Sequence, residues 1–187
     1  MKLSYKIMTL FILLSATCFL SCQSSGQKTH KTQTKEKKFE TKNPYYSRTD
    51  TSKLNVPKST WKKILPPKVY HIAFERGTER PFKNQYWDYK GKGVYYCAVC
   101  GNKLFSATAK FASTCGWPSF FEPSRKDAVI YQEDHQLDMN RIEVRCARCD
   151  AHLGHVFRDG PPPTGLRYCM NSLVLDFVPK NAIATIK

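Results

Sequence analysis

Two cysteine pairs restrict what this chain can fold into. "CAVC" (Cys97, Cys100) and "CARC" (Cys146, Cys149) are separated by 45 residues. Two residues between cysteines let both thiolates reach one cation across a tight turn, and two such turns complete a tetrahedral four-sulfur site. Gly101 follows the first pair and suits a sharp turn, and Asp150 follows the second. The pattern therefore predicts a structural zinc ion held by Cys97, Cys100, Cys146 and Cys149, stapling a domain with a modest core. Disulfides are the alternative in an exported chain. A redox CxxC normally opens a helix in a βαβ setting, which neither pair does. His152, three residues past Cys149, is a weaker alternative ligand.

Short β-branched and aromatic runs flank the pairs: "GVYYC", "KLF", "AVIYQ", "RIEVRC", "GHVF", "LRYCMN" and "LVLDFV". Gly, Pro, Asp and Asn punctuate them, as between antiparallel strands. "RIEVR" alternates with period two, which predicts a half-buried strand. Ahead of them, "STWKKI" and "PPKVYHIAFERGT" read as two short helices, the second started by Pro67 and stopped at Gly77. The fold class expected is mainly β with flanking helices (α+β), over residues 59–180, with 181–187 as a C-terminal tail.

The N-terminal third has another character. Residues 1–63 hold 13 of the 30 Lys/Arg but 3 of the 15 Asp/Glu, so most of the +15 net charge belongs to the tail. "MKLSYK" followed by "IMTLFILLSATCFLS" has the charge and apolar run of a signal peptide. It ends at Ser21-Cys22, which resembles a bacterial lipoprotein signal with Cys22 lipidated, although Phe19 and Leu20 depart from the usual residues. Residues 1–22 are read as that signal. Residues 23–58, nearly devoid of apolar side chains at "QSSGQKTHKTQTKEKK", are read as a disordered Lys-rich linker. This predicts a membrane-anchored protein of a bacterial cell envelope, monomeric. The domain carries no dense basic stripe, which argues against nucleic-acid binding.

Cys115 and Cys169 remain unpaired. Cys115 lies in "FASTCGWPSF", where Gly116 and Pro118 impose a bend beside Trp117. Cys169 lies in "LRYCMN", with Arg167 and Asn171 two residues away on the same face of a strand. A guanidinium there favours the thiolate. These two cysteines form either a working redox pair or a static, inert one, and spacing does not decide between them. His152 and His155 lie close by in "CDAHLGHVFRDGPPPTG", and a histidine near a nucleophilic sulfur can donate a proton to a leaving oxygen.

"GTERPF", "CAVCG", "CGWPSF" and "RIEVRCARCDAHLGHVFRDGPPPTGLRYCMNS" together resemble the peptide-methionine (R)-S-oxide reductases, the type B methionine sulfoxide reductases, in their two-cysteine, zinc-containing form. The resemblance spans about residues 60–178. It implies a β-tent of two antiparallel sheets, with the four CxxC cysteines as zinc ligands. Cys169 matches the catalytic position and Cys115 the resolving one. His155 matches the proton donor, acting with Asn171, and Trp117 and Phe157 match the wall around the substrate methyl group. His152 holds the site in place. The implied partners are oxidised proteins carrying methionine (R)-sulfoxide and a thioredoxin-like reductant. One departure touches the site. The family pattern before the resolving cysteine is "FDSGCGWPSF", whereas here Ala112 and Thr114 replace the Asp and Gly. A β-branched residue restricts the backbone just before Cys115, which bears on how readily it reaches Cys169. A non-catalytic zinc-binding module of related fold, or a general thiol–disulfide exchanger, are the competing readings.

Overall fold

The computed structural model describes residues 43–136 and 139–183. The signal segment with Cys22, and the linker up to residue 42, lie outside them. Two short helices come first, α1 (Lys58–Ile64) and α2 (Pro67–Glu75). Pro66 and Pro67 separate them: the pair ends α1, and Pro67 supplies a first-turn residue that needs no N–H partner in α2. Arg76, in the left-handed region at φ 57°, closes α2.

Among the described residues nine strands follow. β1 (Gly93–Cys97), β2 (Lys103–Ser106) and β9 (Leu175–Pro179) form a sheet in the order β2-β1-β9. β3 (Lys110–Phe111), β4 (Ser119–Phe120), β5 (Val129–Asp134), β6 (Arg141–Cys146), β7 (His152–Phe157) and β8 (Arg167–Met170) form the second, in the order β3-β4-β8-β7-β6-β5. Every pairing is antiparallel. The fold is thus mainly β, with two antiparallel sheets and few helices. Aromatic side chains join the sheets: Phe105 of β2 stacks on Phe120 of β4 at 4.4 Å between centroids, and Tyr95 of β1 meets Phe120 at 5.0 Å. Trp61 of α1, 1% exposed, stacks on Phe74 of α2 and anchors the helices.

The structure moves one boundary read from sequence. Residues 43–57, assigned above to a disordered linker, form a strap on the domain. Tyr45, Leu54 and Val56 pack against the core. Ser47 N–H donates to Cys100 O at 3.0 Å and Leu54 N–H to Arg148 O at 2.7 Å, so the strap grips both cysteine turns. Polar composition concealed this, because the strap is held by backbone hydrogen bonds and a few spaced apolar side chains.

The expected alternation in β6 also holds only in part. Val144 and Cys146 are fully buried, but Ile142 on their face is 38% exposed and Glu143, on the face expected to meet water, is 2% exposed. Glu143 is buried because it has charged partners there, and these border the candidate site.

Candidate active site

Cys169 sits near the end of β8 with Ser119 of β4 on one side and His155 of β7 on the other. Gly154 is required beside it. A Cβ at that position would collide with the Cys169 carbonyl, so only glycine allows β7 and β8 to approach this closely. Cys115 Sγ lies 3.5 Å from Cys169 Sγ, and both cysteines are half-buried. The loop after β3 achieves this with Ser113, whose hydroxyl donates to Cys115 Sγ at 3.1 Å. Ala112 and Thr114, the two departures from the family pattern, are both exposed.

Sulfurs at this distance compete for one proton. The contact with Cys169 is the main cause that holds the Cys115 thiol down at about 4, helped by Ser113 and Ser119 and opposed by burial. Cys169 is pushed well up, first by Cys115 and then by burial. Arg167 pulls Cys169 down, as its place two residues away predicts, but the facing sulfur outweighs it. Arg167 is itself fixed by Asp159, through bonds of 2.9 and 2.8 Å, and its guanidinium lies 4.4 Å from the centroid of the Phe157 ring.

Histidines and acids form a buried network beside the sulfurs. His155 Nε2 meets Asp134 Oδ2 at 2.7 Å, and His152 Nδ1 meets Glu143 Oε1 at 2.7 Å. Arg76 bridges Asp134 and Glu143 at 3.3 and 2.9 Å, and Arg141 reaches Asp134 at 2.9 Å. Burial alone would raise the Asp134 carboxyl, but His155, the Gln136 N–H and the two arginines outweigh it and hold it at about 2. Burial pushes the His155 imidazole down, and Asp134 offsets only part of that. With Nε2 engaged, Nδ1 is the ring nitrogen left for proton transfer. The sequence reading missed Asp134, Glu143 and Arg76. Glu143 falls on the polar face of the alternating "RIEVRC", so nothing local signals its burial.

Asn171 lies one residue beyond β8, 3% exposed. Its Oδ1 accepts from Glu79 N–H at 3.1 Å and its Nδ2 donates to Leu153 O at 3.1 Å, leaving one amide hydrogen. Trp117 is anchored by its indole N–H to Glu79 O at 3.2 Å.

Cys97, Cys100, Cys146 and Cys149 are buried, and their sulfurs all lie within 4.8 Å of one another. The pairs Cys97–Cys149 and Cys100–Cys146 are 3.7 and 3.6 Å apart. Zn–S bonds of ~2.3 Å in a tetrahedron place sulfurs about 3.8 Å apart, so these residues fit zinc. Both turns are built alike. Gly101 N–H donates to Cys97 O and Asp150 N–H to Cys146 O, with Gly101 and Asp150 at φ 79° and 61°. His152 is turned to Glu143 and takes no part.

The SelR domain family matches residues 65–179. A peptide methionine sulfoxide reductase MsrB of Pseudomonas syringae pv. syringae is 53% identical over 129 residues, covering 69% of this chain and 98% of the relative. The MsrB of Methanosarcina barkeri is 56% identical over 117 residues, covering 63% and 82%. That of Agrobacterium fabrum is 51% identical over 127 residues, covering 68% and 94%. Paired sulfurs, a histidine–acid network and a four-cysteine cluster thus come together on a chain that matches 82 to 98% of the length of these relatives, and it belongs to the peptide methionine sulfoxide reductase B family.

Proposed function

We propose that the chain reduces the R epimer of methionine sulfoxide in oxidised proteins, with Cys169 as the attacking sulfur. The observation that carries this reading is the 3.5 Å approach of Cys115 and Cys169 beside His155. The Cys169 thiolate attacks the electrophilic sulfoxide sulfur. Its own proton passes to the shared position on Cys115, and Arg167 stabilises the charge on Cys169. His155 donates a proton to the departing oxygen, with Asn171 ordering water nearby. The S–S bond made by the attack and the substrate S–O bond then both break as the protonated oxygen moves to Cys169, so methionine leaves reduced and Cys169 becomes a sulfenic acid. Cys115 then attacks Cys169, a disulfide forms and water leaves. Exchange with a thioredoxin-like dithiol resets the pair. Trp117 and Phe157 flank the methyl group of the substrate, and this apolar, chiral setting selects one epimer. His152, locked to Glu143, keeps β7 in place.

Cys97, Cys100, Cys146 and Cys149 hold a structural zinc ion, which neutralises four crowded thiolates that burial would otherwise oppose. Cleavage before Cys22 and its acylation place the enzyme at a bacterial envelope membrane, spaced by the basic segment. That reading rests on "MKLSYK", the apolar run and Ser21-Cys22. Intact mass of the mature protein tests it, since acylation adds a large increment.

The functional test is epimer-resolved reduction of peptide-bound methionine sulfoxide with dithiothreitol. Wild type should form methionine from the R epimer alone, and Cys169→Ser should form none. Turnover by Cys169→Ser at the wild-type rate would refute the role of the nucleophile.

A further inference from the structure

Glu79, in the "GTERPF" segment, takes no step in the chemistry above, yet it bonds to Asn171, to Trp117 and to the chain just past Cys169. It lies in the chain between α2 and β1 and is 8% exposed. Its backbone N–H donates to Asn171 Oδ1 at 3.1 Å and its carbonyl accepts from Trp117 Nε1 at 3.2 Å. Its carboxylate accepts from two consecutive backbone N–H groups just past β8, Ser172 at 2.6 Å and Leu173 at 3.0 Å. These open the short 3-10 turn Ser172–Val174, and the Asn171 before them makes no side-chain cap. Glu79 therefore supplies from 93 residues away the cap that the local sequence lacks.

We infer that Glu79 is a positioning residue of the reductase centre, clamping Trp117 to the end of the Cys169 strand. This rests on the reading of Cys169 as the nucleophile. Each bond has a distinct consequence. The two N–H bonds fix the chain three and four residues past Cys169, and so fix how β8 ends. The bond to Asn171 fixes the amide of the residue that follows β8. The bond to Trp117 ties the apolar wall of the resolving loop to the same residue. Wall and nucleophile come from segments 52 positions apart in sequence, and Glu79 makes their separation one distance. Its two carboxylate oxygens take one N–H each. Glutamine would turn its own N–H₂ toward one of those donors, leaving a buried N–H unmatched, which is costly. Burial raises the Glu79 carboxyl, and the N–H groups of Ser172 and Leu173 offset only part of that.

The test uses the full chain, with dabsyl-methionine (R)-sulfoxide as the probe, in single turnover without reductant. A residue needed only for folding would reduce the amplitude, because fewer chains are native, and leave half-saturation unchanged. Positioning predicts the reverse for Glu79→Gln: one methionine per native chain, a single-turnover rate at least tenfold lower, and a half-saturation concentration at least threefold higher. Glu79→Asp keeps the charge one methylene short and should fall between wild type and Gln, and it carries the same test where the Gln chain does not fold. Rate and half-saturation both within twofold of wild type would overturn the inference, as would a reduced amplitude with unchanged half-saturation. Failure of wild type itself to reduce the probe would count against the nucleophile reading instead.

Discussion

Asp134→Asn isolates the pairing that offsets part of what burial costs the protonated form of His155. Asp134 is 3% exposed and faces His155, Arg141 and Arg76 at 2.7, 2.9 and 3.3 Å. Its carboxyl is held at about 2 rather than 3.8. That depression is worth about 2 kcal/mol of native stability at neutral pH. A depressed carboxyl contributes stability that is present above its unfolded value and lost as pH falls toward its folded one. Wild type should therefore lose this share between about pH 4 and pH 2, and the Asn variant should show no such step. At pH 7 its melting temperature should fall by about 5–10 °C. The catalytic effect is separate. Burial already lowers the His155 imidazole, and Asp134 is the group that raises it. Losing a charge-assisted hydrogen bond of ~1.5–3 kcal/mol makes the protonated form about ten- to a hundredfold scarcer. The single-turnover rate at pH 7 should fall by that factor, and the alkaline limb of its pH profile should move to lower pH. The assay is rapid-quench formation of methionine from dabsyl-methionine (R)-sulfoxide at a temperature where the variant is fully native. A rate within threefold of wild type with an unmoved alkaline limb would refute proton donation by His155.

Other consequences follow from the same geometry. Cys115→Ser should retain turnover with dithiothreitol and lose it with a thioredoxin, as read by methionine formation, because the sulfur 3.5 Å from Cys169 is gone while Cys169, the proposed nucleophile, remains. Equal loss with both reductants would remove the resolving role. Metal analysis should find about one zinc per chain, and Cys146→Ser should lose it and lower the melting temperature by more than ~10 °C, since the four buried sulfurs then have no cation to share. Starting the chain at residue 58 instead of 43 should lower the melting temperature by several degrees and speed metal release to a chromogenic chelator. It strips Asp50 and Tyr45 O from the buried Arg148 guanidinium and the Ser47 N–H from Cys100 O, and a buried charged group left short of partners costs ~1–3 kcal/mol.

The parts legible in sequence are those set by neighbours in sequence. Each CxxC turn closes on itself through hydrogen bonds between residues four apart, so "CAVCG" and "CARCD" announce it. Strands such as "GVYYC" declare themselves by composition, and Pro66-Pro67 marks a helix break. The parts that were not legible depend on distant partners. Asp134 and His155 are 21 residues apart, Arg76 and Glu143 are 67, and Glu79 and Ser172 are 93. A carboxylate gives no local sign that a strand from elsewhere will bury it. The strap failed for the same reason: Tyr45, Leu54 and Val56 are too sparse to form a pattern, and the backbone bonds from Ser47 to Cys100 and from Leu54 to Arg148 span 53 and 94 residues.

The loop before Cys115 turns on the same distinction. Replacing Asp and Gly by Ala112 and Thr114 looks disruptive when the residues are read as a string. Both side chains are exposed, and the one between them, Ser113, points inward to Cys115. Ser113 Oγ also accepts the Cys115 backbone N–H at 3.3 Å, so one hydroxyl fixes both the main chain and the sulfur of that residue. Alternation is what protects the pair: in "FASTC" the residue that sets the sulfur-to-sulfur distance is retained, and the two that changed face water. The weight of a substitution near a nucleophile thus depends on which side of the backbone it occupies, and a motif letter carries no side until the chain is folded.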